Sequence, residues 1–389
     1  MYDLIVIGGG PAGTSAAITC VRSGARVLLL ERGRFPRHKV CGEFISGESL
    51  DLLADLLAPQ DARLFLDAAR IVRSRIFLDG RTLHTPVDPP AASISRLDLD
   101  AALWDSAEQC GTEGRQQVAV HSISGHGPFL VRTSMGEFDS RALIDASGRW
   151  SNLKPAAAGA PNRGVKWLGL KGHFAESATP ASVELYFFDG GYCGVQPVDI
   201  QDAIEKPGRI NACAVVRADV ASTLQEVFTC HPALRERSCR WRPLSDPVST
   251  SPLIFREPQP EREGILMAGD AAAFVDPFVG DGISLALRSG HLAGASLIPF
   301  FAGGISMAEA ARDYRATYKQ RIAPVFRTSS KIRQLLDLPK LVRVPILRLL
   351  ENAPVITRYL MSKTRAVAEE QALVATRLRV LGEQDAAAD

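Results

Sequence analysis

Asp3-Leu4-Ile5-Val6-Ile7-Gly8-Gly9-Gly10-Pro11-Ala12-Gly13-Thr14-Ser15-Ala16-Ala17-Ile18 is the stretch that decides the fold. Residues 3–7 are an apolar, β-branched run, the pattern of a strand buried on both faces. Gly8, Gly10 and Gly13 then form GxGxxG around Pro11 and Ala12, and the Ala-rich, helix-favouring Thr14-Ser15-Ala16-Ala17-Ile18 follows. Ala25-Arg26-Val27-Leu28-Leu29-Leu30 reads as a second strand, ending at Glu31 and Arg32. The three glycines act differently, since Gly8 makes the turn, Gly10 lets the main chain approach a pyrophosphate, and Gly13 lets helix and strand pack closely. The helix N-terminus offers unpaired N–H groups and a positive dipole end to phosphate. Glu31, at the strand tip, is placed to accept hydrogen bonds from ribose hydroxyls and would repel a 2′-phosphate. Strand, turn, helix and acid within one βαβ unit predict a dinucleotide site, without separating FAD from NAD.

A second segment bears on that choice. Gly264-Ile265-Leu266-Met267-Ala268-Gly269-Asp270 predicts a short buried strand ending in Gly-Asp. Asp276-Pro277-Phe278-Val279-Gly280-Asp281-Gly282 then leads into an Ala- and Leu-rich helix from Ile283 to about Leu292. An acid at a strand tip can hold a polyol hydroxyl, and a Gly-x-Gly helix start can present N–H groups to a pyrophosphate or a ring edge. NAD has no ribitol needing that acid, so the two segments together favour FAD.

Bulk composition excludes several classes. With 389 residues, 46% hydrophobic and 23% charged, and a net charge of +2, the chain reads as a soluble globular protein with no nucleic-acid partner. Seven scattered cysteines without a CxxC pair predict neither a disulfide framework nor a metal site, and a reducing cytoplasm is expected. The N-terminus opens directly on an apolar strand rather than on a basic leader, and no apolar run is long enough to span a bilayer.

These motifs resemble the flavoprotein superfamily of geranylgeranyl reductases, aromatic hydroxylases of the p-hydroxybenzoate hydroxylase type and flavin-dependent halogenases. The resemblance implies that Glu31 binds the adenosine ribose and Asp270 the ribitol, with Gly280-Asp281-Gly282 near the flavin ring. Arg96-Leu97-Asp98-Leu99-Asp100 matches the Arg-led helix start whose arginine approaches the cofactor or its mouth, and Asp145-Ala146-Ser147-Gly148 matches a turn returning to the FAD fold. Arg37-His38-Lys39-Val40-Cys41-Gly42-Glu43 is similar to the Lys/Arg-x-Cys-Gly-Glu stretch of geranylgeranyl reductases that passes beside the flavin. There glycine lets the chain near the ring, and cations such as Lys39 could stabilise a reduced flavin or activate the Cys41 thiol. Packing of Cys41 as a small buried residue is the alternative. The reductase substrate motif Tyr-x-Trp-x-Phe-Pro appears as Tyr192-Cys193-Gly194-Val195-Gln196-Pro197, which keeps Tyr and Pro but loses two apolar walls. Tyr192 and Cys41 are the catalytic candidates.

The expected architecture is α/β: a Rossmann-type FAD-binding domain interleaved with a β-sheet substrate domain, plus a C-terminal helical segment. Residues 1–75, 93–164 and 263–305 are assigned to the first, 76–92 and 165–262 to the second, and 306–389 to the third. Ile76-Phe77-Leu78 and Arg81-Thr82-Leu83 around Asp79-Gly80 predict a hairpin, closed off by Pro89 and Pro90. The C-terminal helices are expected to break at Pro324, Pro339, Pro345 and Pro354. Basic and apolar residues alternate over 331–365, a candidate for peripheral membrane contact, although such a face more often covers a core. No second GxGxxG follows, so NAD(P)H or another external donor is expected to deliver electrons transiently.

Two reactions are carried forward on a hydrophobic isoprenoid, polyketide or aromatic molecule: C=C reduction, slightly favoured by Cys41-Gly42-Glu43, and monooxygenation. Gly269-Asp270-Ala271-Ala272-Ala273 lacks the histidine usual in hydroxylases, and no Gly-Trp-x-Trp-x-Ile-Pro halogenase tract is found. An electron-transfer flavoprotein is a minor alternative, lacking an iron-sulfur cysteine cluster.

Overall fold

The N-terminal apolar run forms β1 (Tyr2–Ile7), and the glycine turn delivers the chain into α1 (Pro11–Arg22) and back as β2 (Val27–Leu30). This computed structural model describes residues 1–149, 153, 166–177, 179–199, 207–253, 255, 257–336 and 338–351. Beyond β2 come β3 (Phe44–Ile45), α2 (Leu50–Leu56), α3 (Arg63–Leu66), β4 (Ala69–Leu78), β5 (Arg81–Ser93) and α4 (Arg96–Gln109). Then follow β6 (Glu113–Arg115), β7 (Val120–Ser124), β8 (Phe129–Thr133), β9 (Gly136–Asp145), β10 (Trp167–Glu176), β11 (Ser182–Phe188), β12 (Gly191–Pro197) and β13 (Gly208–Arg217). Helices α5 (Leu224–Thr229) and α6 (Pro232–Ser238) precede β14 (Arg242–Pro243), β15 (Val248–Thr250), β16 (Glu261–Arg262) and β17 (Ile265–Met267). The chain ends in α7 (Gly282–Phe301), α8 (Met307–Arg321), α9 (Ala323–Leu336) and α10 (Lys340–Glu351).

Among the described residues the strands make two sheets. The first runs β16-β17-β9-β1-β2-β6, with parallel pairing from β17 through β6 and β7-β8 attached antiparallel to β9. Leu4, Ile5, Val6 and Leu28 are wholly buried, as a parallel strand covered on both faces requires. Register Ile7↔Leu30 and Ile7↔Asp145 brings three strand tips to one edge, beside the α1 N-terminus. Ligands in doubly wound sheets bind at this carboxyl edge.

The second sheet runs β14-β10-β13-β12-β11-β4-β5-β3, antiparallel except where β11 meets β4. It draws in β3 and all of β4 from Ala69, so its pairing reaches ahead of residue 76. The hairpin turns at Asp79 and Gly80, both with positive φ, and Leu78 faces Arg81. Strand β5 does not stop at Pro89 and Pro90 but continues to Ser93. The ladder shifts register between Ile71 and Arg73, whose partners are Ala91 and Pro86, so the prolines lie where no pairing N–H is required.

Two helical expectations also change. Helix α7 continues past Leu292 to Phe301, because Gly290 and Gly294 are where α1 lies against it and Pro299 comes only in its last turn. Pro345 sits inside α10 rather than ending it, at the cost of one main-chain donor, whereas Pro324 opens α9 and Pro339 precedes α10. Pro354, like the stretch 352–365, lies outside the described residues. Within 331–351, Arg333 is bonded to Asp276, and Arg343 clamps Asp79 of the hairpin turn through two contacts of 2.7 and 2.8 Å. Those two cations therefore face inward. Among the described residues no helix is long and apolar enough to cross a membrane.

Candidate functional site

The predicted site residues converge on a groove along the carboxyl edge of the first sheet. Its outer part, about 470 Å³, is lined by Gly8, Gly10, Glu31, Arg32, Lys39 and Asp270, with Ser249 and Thr250 of β15 opposite. Its inner part, about 130 Å³, is lined by Gly10, Pro11, Ala12, Lys39, Cys41, Gly42, Arg96, Gly269, Asp270, Pro277, Gly280, Gly282 and Ile283. Gly10, Lys39 and Asp270 belong to both parts. Gly13 lines neither. It lies beneath, where a Cβ would stand 1.8 Å from the Gly8 carbonyl oxygen, so its lack of a side chain sets the turn-to-helix packing. Tyr192 is also outside the groove and faces a separate cavity.

The polar groups along the groove are already oriented. Glu31 Oε2 accepts the Gly9 N–H at 2.9 Å and Oε1 the Gly33 N–H at 2.6 Å, with Arg37 Nη2 at 3.3 Å. Oε2, with a single donor, retains capacity for a further one. Arg96 opens α4 and grips Asp100 through two bonds of 2.7 Å. Burial, and then the neighbouring Arg96 guanidinium, push the Lys39 ammonium below its ordinary range. Asp270 is paired with Arg149 at 3.6 Å, and Arg149 stacks over Phe274 at 4.3 Å.

Two observations test whether a dinucleotide fits. Gly10, Gly42 and Gly282 line the groove, yet a Cβ on Gly10 would find no described protein atom closer than 3.8 Å and one on Gly42 or Gly282 none within 4 Å. They form a cradle shaped by missing side chains. Arg149 Nη1, also in the groove, is buried and has no acceptor among the described residues. A buried guanidinium donor without an acceptor suits an anionic guest. The residues present therefore fit an anionic dinucleotide such as FAD.

A family model described as FAD dependent oxidoreductase matches residues 3–36. Over 357 residues the chain is 25% identical to digeranylgeranylglycerophospholipid reductase 2 of Methanopyrus kandleri, covering 86% of each. It is 25% identical to a 1H-pyrrole-2-carbonyl-[peptidyl-carrier protein] brominase of Pseudoalteromonas luteoviolacea, covering 74% of this chain and 75% of the relative. The chain is an FAD-dependent oxidoreductase. Its fold matches that of a geranylgeranyl bacteriochlorophyll reductase-like protein from Thermoplasma acidophilum, with TM-score 0.72 and 20% identity over 98% of this chain and 99% of the other.

In this oxidoreductase the cavity beyond the groove has a volume of about 910 Å³ and is lined both by aromatic residues (Phe77, Trp167, Phe187, Phe188, Tyr192 and Phe278) and by charged ones, among them Arg81, Arg217, Arg333 and Lys340. Tyr192, Val215 and Leu253 form the buried centre of an apolar partition, with Trp167, Phe187, Phe274 and Phe278 packed on it. Val215, Leu253 and Phe274 line the inner groove, so the partition separates groove from cavity. Gly194 and Gln196 do not line this cavity; Leu185 lies 3.3 Å from where a Gly194 Cβ would be, and the aromatic walls come from β4, β10, β11, β12 and the turn before α7. The Tyr192 hydroxyl donates to Asp276 Oδ1 at 3.4 Å, a long contact, while Arg333 donates to Oδ2. Burial and then Asp276 hold the phenol well above its ordinary value, so it stays protonated. Burial also raises the Asp276 carboxyl, against the opposing pull of Arg333.

Sequence reasoning missed Arg149, the Asp276–Arg333 pair, and Lys171 and His173 of β10. The last two carried a signal. Ionisable residues spaced by two in an otherwise apolar strand share its inner face. Arg333 carried none, because nothing local ties α9 to a turn 57 residues earlier.

Proposed function

We propose that the flavoenzyme reduces a carbon–carbon double bond in a hydrophobic isoprenoid, polyketide-like or aromatic molecule. The observation that carries this reading is the Tyr192 hydroxyl, kept protonated in the partition between an aromatic cavity and the groove that fits FAD. FAD, when bound, would supply the electron pair as hydride to one alkene carbon, which requires the alkene to reach the groove past the partition of Tyr192, Val215 and Leu253. The other carbon then needs a proton, and Tyr192 holds one at its hydroxyl oxygen, with Asp276 beside it. Arg333 fixes the carboxylate that orients the phenol. The aromatic walls offer an apolar body a binding surface, and Arg81, Arg217, Arg333 and Lys340 at the same cavity offer donors to any polar end it carries. NAD(P)H or another diffusible donor would recharge the cofactor.

A second reading is oxygen or halogen transfer to an aromatic substrate, favoured by the brominase among the relatives. Product mass separates the two. Chemically reduced enzyme under nitrogen, given a panel of isoprenoid and aromatic alkenes, is expected to yield products heavier by two hydrogens, with none formed by Tyr192→Phe. If no saturated product forms under nitrogen, and oxygenated or halogenated product appears only with air and donor, the reductase reading falls.

A further inference from the structure

Glu43, Lys171 and His173 form an ionisable cluster in the interior of the chain, each less than 4% exposed. Glu43 is not a glycine, yet its φ is +62°. A non-glycine residue rarely holds that conformation without compensating bonds. Here the carboxylate supplies them: Oε1 accepts the Arg96 main-chain N–H at 2.8 Å and the Lys171 ammonium, and Oε2 meets His173 Nε2 at 2.7 Å. Its carbonyl accepts the Ile94 N–H at 3.1 Å, and Asn211 Nδ2 donates to the Cys41 carbonyl at 2.9 Å. The turn Cys41-Gly42-Glu43, which lines the inner groove, is thus tied to β10, β13 and the start of α4. Burial alone would raise the Glu43 carboxyl, but His173 and Lys171 outweigh it and hold it below the ordinary value. The carboxylate is therefore ionised and buried.

We propose that Lys171 and Glu43 are positioning residues for the flavin: they hold the Cys41-Gly42-Glu43 turn against the ring, and their opposite charges set its reduction potential. This rests on placing the ring in the inner groove and holds for either reaction above. Reduced flavin carries more negative charge than oxidised flavin, so a nearby cation favours reduction and a nearby anion opposes it. Inside a protein such charges are poorly screened.

The test is the midpoint potential of the FAD-loaded full chain at pH 7, measured by dye equilibration, in Lys171→Met, Glu43→Gln, Lys171→Arg and the double variant K171M/E43Q. Lys171→Met is expected to lower the potential and Glu43→Gln to raise it. Each shift should alter the ratio of reduced to oxidised flavin about tenfold at fixed potential, or about 30 mV for a two-electron couple. Lys171→Arg should stay at the wild-type value, and the double variant, which leaves neither charge behind, should return close to it. A purely structural role would not give shifts of opposite sign. Shifts in one direction, or none with FAD fully bound, overturn the proposal. If Lys171→Met does not load, a Glu43→Gln potential at or below wild type overturns it equally. Wild-type protein that takes up no FAD would instead sink the placement of the ring.

Discussion

Gly290 of α7 and Ala12 of α1 meet so closely that a Cβ on Gly290 would lie 2.0 Å from the Ala12 carbonyl oxygen. Ser15 Oγ also donates to the Leu287 carbonyl at 2.8 Å, so a hydrogen bond reinforces the helix crossing. This junction brings together two glycine turns separated by more than half the chain. Neither could grip the whole length of a dinucleotide alone.

Gly290→Ala should therefore force the helices apart. Overpacking of this kind costs about 1–3 kcal/mol. A lower denaturant midpoint with reduced FAD retention is expected, read by urea unfolding and by visible absorbance after gel filtration. An unchanged midpoint would show that the junction can yield without loss.

Gly10→Val acts differently. Its Cβ points into the groove, with Arg96 Nη2 the nearest described atom at 3.8 Å, so the fold should survive while the pyrophosphate path is blocked. Far-ultraviolet circular dichroism should match wild type, and the purified protein should be colourless. A yellow, fully loaded variant would contradict the phosphate placement.

Glu43→Gln should show a pH-dependent stability gap. The folded carboxyl lies below its ordinary 4.5, so ionisation stabilises the native state above that value and the contribution disappears as pH falls through the folded value. The variant also leaves Lys171 buried without its anion, a loss on the order of 3–5 kcal/mol. Unfolding free energies of the two proteins should differ most near neutral pH and converge in acid. A gap constant across pH would mean that Glu43 is not ionised in the fold.

Cys41 is half-buried in the inner groove, and its Sγ accepts the Glu43 N–H at 3.4 Å. Bound FAD should cover it. Iodoacetamide labelling of Cys41, followed by peptide mass spectrometry, is expected to be fast in apoprotein and slow in FAD-loaded protein. Equal rates would move the cofactor away from this turn. Turnover of Cys41→Ser then separates chemistry from packing: a variant with full FAD and unaltered turnover makes the thiol a packing group.

The sequence alone determined the local units. An apolar run, three spaced glycines and a strand-tip acid depend on neighbours within some thirty residues, and so do the Asp79-Gly80 hairpin and the Gly280-Asp281-Gly282 helix start. Steric rules and strand or helix periodicity act over that range, so these units could be read directly. Tertiary structure alone decided which units meet. Lys171 and His173 became partners of Glu43 because β10 passes behind the Cys41 turn, and Asp276 gained Arg333 because α9 folds back over the second sheet, where Arg333 stacks on Trp167. The aromatic cavity is assembled from five separate elements, β4, β10, β11, β12 and the turn before α7. Buried charges and cavity walls depend on contacts distant in sequence, which spacing along a chain does not encode.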